Sequence, residues 1–514
     1  MSETRELRAP AKLLAVLMAL ALALAMMPAA ALGAITSTST ASLTVEELDE
    51  GDTVTIYQII TATYDEDSNS ITYALASGLE SLTYTYDGET KTLTVDGYLN
   101  ADSDELAVIV DAIAAAILGG TVSVSTYATG TVAEDADSYT FSNVAMGQYL
   151  VLVTPGEEST VTKVYKNTTA NVLPTVTTDE EGNESYTLSD VTVSVKSTEI
   201  TPSKTVEDAS GDDVESTGDY SVGETVTYTV VTAVPEYPSN ATNTTFQIVD
   251  TLGSGLAYAA DSVVVKVGSD EQVTLTENTD YTVTYDSTTN TLTITLTSDA
   301  ISTYAGQTLT VTYDVTITED ATTVTDTTTN SVKVIVADPY SSTNGTYETD
   351  EDEVELQVYG IYFTKVDASN TSTLLAGAVF AIYRESGDAT GYDENDEYIG
   401  TTDATDENGI GTFVGLGEGT YYLVETTAPT GYVLPSGSVA TFTISSDTAT
   451  STYTDEDGTY YYYVSLGNVT NTEQGSLPVT GDMGTMLFIA IGLLLICGAG
   501  FGFALRSRRK QADE

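Results

Sequence analysis

The residue types that could do chemistry are few in this chain of 514 residues. It contains no histidine, and its one cysteine, Cys497, lies in an apolar run near the end. Ser/His/Asp triads, cysteine nucleophiles and the usual His or Cys zinc sites are therefore excluded outside that run. Lysine amines remain, and residues 34–481 contain eight lysines, with Arg384 as the one arginine. An amine attacks only when it is unprotonated, and burial in an apolar core favours that form.

Acidic side chains dominate the same stretch. Residues 34–481 carry 71 Asp and Glu against nine Lys and Arg, and the whole chain has a formal net charge of −60. Charge alone excludes nucleic acid as a partner. Calcium binding in acidic loops such as 393–397 is the alternative to plain solubility, but none of these loops has the ligand spacing of an EF-hand. We expect no metal site and no cofactor.

The elements that must position the lysines are almost all strands. Thr alternates with Val, Ile, Leu or Tyr in segments such as 53–60, 226–234, 291–296, 308–317 and 439–444, the period-2 pattern of half-buried strands. One segment, 102–118, has apolar residues at helical spacing behind capping Asp and Ser residues, which predicts one helix in the first domain. Many short strands with frequent turns favour a mainly β fold of tandem β-sandwiches. Shifts in composition predict domains at 34–198, 199–355 and 356–475.

Both ends of the chain carry targeting patterns. Basic residues, an apolar run and small residues predict a signal peptide over residues 1–33. Near the other end, Leu477-Pro478-Val479-Thr480-Gly481 precedes an apolar run at 486–505 and a basic tail at 506–514. The run matches the roughly 20 residues that a helix needs to cross a bilayer, and the basic residues predict a cytoplasmic tail.

This order of pentapeptide, apolar span and basic tail resembles the cell-wall sorting signal of Gram-positive surface proteins. The resemblance implies that a sortase recognises Leu477, Pro478, Thr480 and Gly481, cuts between Thr480 and Gly481, and passes the Thr480 acyl group to an amine. The protein would then be secreted and anchored to the cell wall, in contact with the membrane only before sorting.

The third predicted domain carries recognisable motifs: FTKVD at 363–367, LAGAVF at 375–380 and GTYYLVETTAPTGY at 419–432. These resemble the Cna B-type domain, a small immunoglobulin-like sandwich of Gram-positive adhesins and pilins. The resemblance implies an amide between Lys365 and Asn471, with Asn468 as the alternative, assisted by Glu425. A buried, protonated carboxylic acid could polarise the Asn carboxamide and shuttle the proton released by Lys, with ammonia leaving. The three side chains must then be buried and close, which adjacent first and last strands would supply.

The second predicted domain has shorter motifs: PSKTV at 202–206, SVGETV at 221–226, FQIVDTL at 246–252 and TNSV at 329–332. They are similar to the isopeptide-forming middle domain of sortase-assembled backbone pilins. The resemblance implies Lys204 as nucleophile, Asp250 as proton shuttle and Asn330 as electrophile. As in the third domain, we expect adjacent first and last strands to bring the lysine to its asparagine. By analogy with disulfides, each bond would stabilise its domain by roughly 4 to 5 kcal/mol, in a chain that has no disulfide.

Backbone pilins also present a lysine that accepts the acyl group of the next subunit, usually in a VxVYPKN strand. That motif is not intact here. Lys196 ends the segment VTVSVK just before the second domain but lacks the Tyr-Pro pair, whereas Lys166 lies in VYKN about 30 residues earlier. Position favours Lys196, with Lys166 as the alternative.

These resemblances predict a structural major pilin that is joined through Thr480 to a lysine of the next subunit. The alternative is a monomeric wall-anchored adhesin with the same internal bonds and no acceptor lysine. No enzymatic activity is expected. The expected partners are sortase, copies of the same chain, peptidoglycan, and host surface or matrix proteins.

Overall fold

A computed structural model describes residues 35–156, 162–178, 184–208, 210–239, 241–321, 328–339, 345–386, 391–454 and 459–475. The predicted signal peptide, the pentapeptide at 477–481, the apolar run at 486–505 and the tail at 506–514 lie outside these ranges. None of the helices within them is long and apolar enough to cross a membrane. The fold is mainly β, as predicted, and its strands form three successive groups along the chain.

The first group, which we call the first unit, has fourteen strands and two helices among its described residues. Its elements are β1 (Thr40–Glu46), β2 (Thr53–Asp65), β3 (Ser70–Leu75), β4 (Thr83–Tyr86), β5 (Glu89–Thr92), α1 (Val95–Leu99), α2 (Ser103–Leu118), β6 (Ala128–Thr131), β7 (Ser138–Ala145), β8 (Gly147–Thr154), β9 (Thr162–Tyr165), β10 (Thr168–Val172), β11 (Thr175–Thr178), β12 (Glu184–Thr187), β13 (Val191–Ser194) and β14 (Ser197–Ile200). A single 3-10 turn at Leu79–Ser81 follows β3. The sheet β13-β1-β7 packs on the sheet β10-β8-β2-β3, which β6 joins through β2, while β9 pairs with β14.

Helix α2 confirms the predicted helix and shows why it forms. The Asp102 side chain caps its first turn by accepting hydrogen bonds from the backbone N of Asp104 and Glu105, which satisfies donors that have no partner within the helix. Ile109 and Ile113, four residues apart on one face, are fully buried in an apolar cluster with strands β2 and β8. The structure adds two short helices that the pattern did not predict, α1 and one in the second group.

The second sandwich consists of β15 (Ser203–Glu207), β16 (Asp213–Val214), β17 (Ser216–Thr217), β18 (Thr225–Ala233), β19 (Phe246–Leu252), β20 (Leu256–Tyr258), β21 (Val264–Val267), β22 (Val273–Thr274), β23 (Tyr281–Asp286), β24 (Thr291–Leu296), α3 (Ser298–Thr303), β25 (Thr308–Ile317), β26 (Thr329–Ala337), β27 (Thr346–Glu348) and β28 (Asp352–Leu356). One sheet has the order β16-β15-β18-β25-β21-β22, and the other has the order β17-β28-β26-β19-β24-β23. Strand β25 alternates buried and partly exposed residues along most of its length, so its inner face meets the core as the period-2 pattern predicted.

The third sandwich consists of β29 (Tyr359–Asp367), β30 (Val379–Arg384), β31 (Glu397–Thr401), β32 (Ile410–Leu416), β33 (Gly419–Thr427), β34 (Ser438–Ile444), β35 (Ser451–Thr454) and β36 (Thr459–Asn471). Its sheets are β32-β29-β36-β35 and β31-β30-β33-β34. The first and last strands, β29 and β36, are parallel neighbours.

The second and third sandwiches meet through main-chain atoms. The backbone N of Val222 donates to Gly415 O at 2.8 Å, and that of Glu418 donates to Gly218 O at 2.7 Å. Arg384 crosses this joint, since its Nη2 donates to Asp219 O at 3.2 Å and to Glu418 O at 2.8 Å. The one arginine between residues 34 and 481 thus contacts both sandwiches.

Candidate functional site

One buried lysine lies inside the second sandwich, and another lies inside the third. The side chains of Lys204 and Lys365 have no exposed surface, and the same holds for Asp250 and Glu425, the carboxyl groups beside them. Lysine and carboxyl side chains are almost never fully buried unless they are paired. These two clusters are therefore the features of the described residues that most need a chemical explanation.

In the second sandwich, Lys204 comes from β15 and Asp250 from β19, in opposite sheets. The Lys204 amine contacts Asp250 Oδ2 and donates to the Tyr313 hydroxyl at 2.6 Å. Nδ2 of Asn330, on β26, donates to the same hydroxyl at 2.8 Å. The cluster thus joins the three predicted residues through Tyr313, which sequence reasoning missed.

Burial shifts both charged groups of this cluster towards their neutral forms. It lowers the pKa of the Lys204 amine and raises the pKa of the Asp250 carboxyl, while the attraction between the two opposes both shifts. Asp250 Oδ1 and Asn330 Oδ1 are buried and accept no hydrogen bond from the described residues. Both oxygens therefore lack a hydrogen-bond donor. A proton on the Asp250 carboxyl group would supply one.

In the third sandwich, the lysine contacts the asparagine directly. The Lys365 amine donates to Asn471 Oδ1 at 2.5 Å and lies 3.3 Å from Glu425 Oε2. Asn471 Nδ2 donates to Glu425 Oε1 at 2.8 Å and to Val433 O at 3.2 Å. Burial lowers the pKa of the Lys365 amine and raises that of the Glu425 carboxyl. A neutral amine and a protonated acid would therefore face the two ends of one carboxamide.

The strands explain how the third cluster forms. Lys365 pairs in register with Val469 on the parallel neighbour β36, and Asp367 pairs with Asn471. Glu425 reaches the pair from β33 in the facing sheet. Asn468, the alternative electrophile, is exposed on β36, whereas Asn471 is 2% exposed.

One expectation about strand order fails in the second sandwich. Adjacent first and last strands were expected to bring each lysine to its asparagine, and β29 and β36 do so in the third sandwich. In the second sandwich, the strands of Lys204 and Asn330 belong to opposite sheets. Both side chains are nevertheless buried between the sheets, where each donates to the Tyr313 hydroxyl.

The two candidate acceptor lysines, 30 residues apart in sequence, lie side by side. The backbone N of Lys166 donates to Lys196 O at 2.9 Å, and β9 pairs with β14. Both line an open groove of about 490 Å³ between the first unit and the second sandwich. The Lys196 side chain is exposed, whereas the Lys166 amine contacts Glu236.

A further lysine–carboxylate pair in the first unit differs from the two buried clusters. Lys163 Nζ lies 2.6 Å from Asp49 Oδ1, but these side chains are 17% and 24% exposed. Both side chains are thus partly exposed, in contrast to the lysines and carboxyl groups of the two buried clusters.

Most of the second sandwich and most of the third match known domain families. Residues 222–338 match the family described as Gram-positive pilin backbone subunit 2, Cna-B-like domain, and residues 360–459 match the SpaA family, prealbumin-like fold domain. Two stretches of the chain thus match domain families, and the first of these families is that of Gram-positive pilin backbone subunits. The first match lies in the sandwich that holds Lys204, and the second covers Lys365 and Glu425.

The chain is also similar in sequence to two bacterial surface proteins. The chain is 26% identical over 343 residues to fimbrial subunit type 1 of Actinomyces viscosus, an alignment that spans 56% of this chain and 62% of that protein. The chain thus covers about three fifths of the Actinomyces protein. It is 23% identical to the trypsin-resistant surface T6 protein of Streptococcus pyogenes serotype M6, across 93% of this chain and 97% of that protein.

Solved structures share the fold at low sequence identity. The T6 backbone pilin of serotype M6 Streptococcus pyogenes has a TM-score of 0.61 at 19% identity, over 86% of this chain and all of that chain. The full-length major pilin SpaD from Corynebacterium diphtheriae has a TM-score of 0.51 at 20% identity, over 86% of this chain and 99% of that chain. The resemblance covers the architecture of most of the described residues.

Proposed function

We propose that this chain is the backbone subunit of a Gram-positive pilus. Sortase would join its Thr480 to Lys196 of the next copy and anchor the polymer to the cell wall, and two internal amides would clamp the subunit. The observation that carries this proposal is the pair of fully buried lysine, asparagine and carboxyl clusters within the domains of a backbone pilin. A subunit that is joined to its neighbours at both ends must bear tension along its length. The internal amides would resist unfolding of the sandwiches under that tension.

The reaction in the third sandwich would proceed from the contacts present. Glu425 is protonated and the Lys365 amine is neutral, as burial favours. The amine attacks Cγ of Asn471, Glu425 transfers a proton to Nδ2 across the 2.8 Å contact, and ammonia leaves. The carboxyl group then recovers its proton from the attacking nitrogen, so an Nζ–Cγ amide replaces the carboxamide.

The second sandwich would use the same steps with Asp250 in place of Glu425. Its tyrosine adds a hydroxyl that accepts from both the Lys204 amine and the Asn330 carboxamide. The hydroxyl would orient the nucleophile and the leaving group before attack.

Intact mass tests the internal bonds. We expect the measured mass of residues 34–475 to be lower than the mass calculated from the sequence by two ammonias, about 17 Da each. Lys204→Ala and Lys365→Ala should each restore one of them, and Lys333→Ala, which removes a partly exposed ion-paired lysine, should restore neither. A mass equal to that of the unmodified chain would overturn the proposed clamps.

Polymerisation tests the pilin assignment against the wall-anchored adhesin. In cells, Lys196→Arg should abolish the ladder of high-mass species while leaving single subunits on the wall. If neither Lys196→Arg nor Lys166→Arg changes surface material that is monomeric to begin with, the adhesin is the correct function.

A further inference from the structure

The groove between the first unit and the second sandwich presents two neighbouring amines to one acyl group. Lys166 and Lys196 both line it, together with Lys163, Glu199 and Glu236. An incoming acyl group would therefore meet a choice of nucleophiles. Position in the sequence does not settle this choice, because strand pairing places the two lysines at the same edge.

The surroundings of the two amines differ. The Lys166 amine forms an ion pair with Glu236, which belongs to the second sandwich. The next residue is also held: Asn167 Nδ2 donates to Asp111 Oδ1 at 2.7 Å, and Asp111 Oδ2 accepts from the backbone N of Ser239 at 3.0 Å. Lys166 and its neighbour are thus tied to the segment 236–239 at two points.

Lys196 has no comparable restraint. Its side chain is exposed, and within the described ranges it forms no hydrogen bond or ion pair. Lys163, the third lysine of the groove, is engaged by Asp49. Of the three amines, Lys196 alone is available to an incoming group without loss of a contact.

We propose that Glu236 is a specificity-determining residue, which holds Lys166 as a paired ammonium and so directs acyl transfer to Lys196. This inference rests on the proposed function. In the transfer, the neutral Lys196 amine forms a bond to the Thr480 carbonyl carbon, the bond between that acyl group and sortase breaks, and the amine's proton goes to the departing enzyme nucleophile. Either amine must lose a proton before it attacks, and Lys166 must in addition leave Glu236.

The exposure of the pair sets the size of the effect. The side chains of Lys166 and Glu236 are 31% and 43% exposed, and ion pairs this exposed shift an equilibrium by less than about tenfold. Glu236 should therefore change the ratio of products several-fold rather than act as an absolute block. The second tie, through Asp111, orients the backbone of the same segment and does not depend on Glu236.

The test uses the chain with its sorting signal, a pilin-polymerising sortase, and peptide mass spectrometry of the crosslinks. With the unaltered chain, Thr480 should be found mainly on Lys196. Glu236→Gln should raise the share found on Lys166 several-fold. In a Lys196→Arg background, the same change should restore part of the lost polymer through Lys166. Glu199→Gln, which alters an exposed carboxylate of the same groove, should leave the product ratio unchanged.

The possible results distinguish failure of this inference from failure of the proposed function. An unchanged Lys166 share in Glu236→Gln, with polymer still forming through Lys196, overturns the role of Glu236 alone. Full polymerisation of Lys196→Arg with Glu236 intact overturns the acceptor assignment itself. Transfer of Thr480 to hydroxylamine reports the donor end and should be equal in all variants, so a lower value would trace a changed ratio to the sorting signal and overturn the proposal.

Discussion

The lysine clusters of the second and third sandwiches use the same side-chain types but differ in topology. In the third sandwich, Lys365 and Asn471 lie on parallel neighbouring strands, the first and the last of the fold. In the second, Lys204 and Asn330 lie in opposite sheets, and two further strands, β27 and β28, follow Asn330. The proposed bonds would therefore protect different fractions of each sandwich from an applied force.

A bond shields only the chain that lies between its two ends. In the third sandwich, β36 ends at Asn471 itself. In the second sandwich, 28 residues separate Asn330 from the start of β29 at Tyr359. Its described residues form sheet hydrogen bonds and pack in the core, and the proposed bond would give them no covalent protection. The position of the electrophile along the chain thus determines how much of a clamped domain can still unravel.

The largest effect is expected when the clamp of the third sandwich is removed. In Lys365→Ala, pulling on the two ends should release a loop of 106 residues, which adds roughly 350 Å at full extension. Single-molecule force spectroscopy measures this length directly. The unaltered chain and Lys333→Ala should lack the step, and its presence in either would contradict the clamp.

A smaller step should distinguish the second sandwich in the unaltered chain. The 28 residues after Asn330 can lengthen by at most roughly 100 Å before the proposed bond stops the extension. The step should lengthen severalfold in Lys204→Ala. If the unaltered chain shows no step at all, the strands beyond Asn330 resist force as well as a covalent bond does, and the comparison between the sandwiches fails.

The tyrosine of the second cluster should affect the rate of one bond only. Tyr313→Phe removes the hydroxyl that accepts from Lys204 and Asn330, and loss of a hydrogen bond of about 1 kcal/mol slows a reaction roughly fivefold. A time course of intact mass after refolding should show slower loss of one ammonia and normal loss of the other. Tyr421→Phe, equally buried in the third sandwich, should not slow the bond of the second.

The smallest signal is the protonation state of the two carboxyl groups. Burial raises the pKa of both Asp250 and Glu425, and conversion of each lysine to an amide removes the cation that opposes this shift. A carboxylic-acid carbonyl band should therefore persist in the infrared spectrum at neutral pH and weaken in Asp250→Asn and in Glu425→Gln. The stability that these protons contribute is fully present below the unfolded pKa of about 4 and is lost as pH rises through the raised folded pKa. Absence of the band at pH 7 would show that the groups are ionised.

The sequence predicted those features that depend on local pattern. Period-2 alternation identified the strands, and capping residues with apolar spacing identified α2, because both signals lie within one element. The cluster around Lys204 brings together residues up to 126 positions apart, and no local pattern reports which sheet a strand joins. The expectation of adjacent strands was therefore correct for one sandwich and wrong for the other.

Tyr313 could have been noticed from its position. It occupies an inward-facing place between Val311 and Val315 on β25, and a buried tyrosine hydroxyl usually finds a hydrogen-bond partner. Glu236 offered no such signal, since it is one of 71 acidic residues in a strongly acidic stretch. Its contact with Lys166 depends on how the first unit meets the second sandwich.

The joint between the second and third sandwiches has a consequence for bending. There, backbone atoms of the two sides hydrogen-bond to one another, and Arg384 adds contacts to backbone oxygens of both. The junction around Glu236 and Lys166 relies in part on an exposed ion pair, which dissolved salt screens. Flexure should therefore concentrate at the junction before the second sandwich and increase with ionic strength, while the last two sandwiches keep their relative orientation.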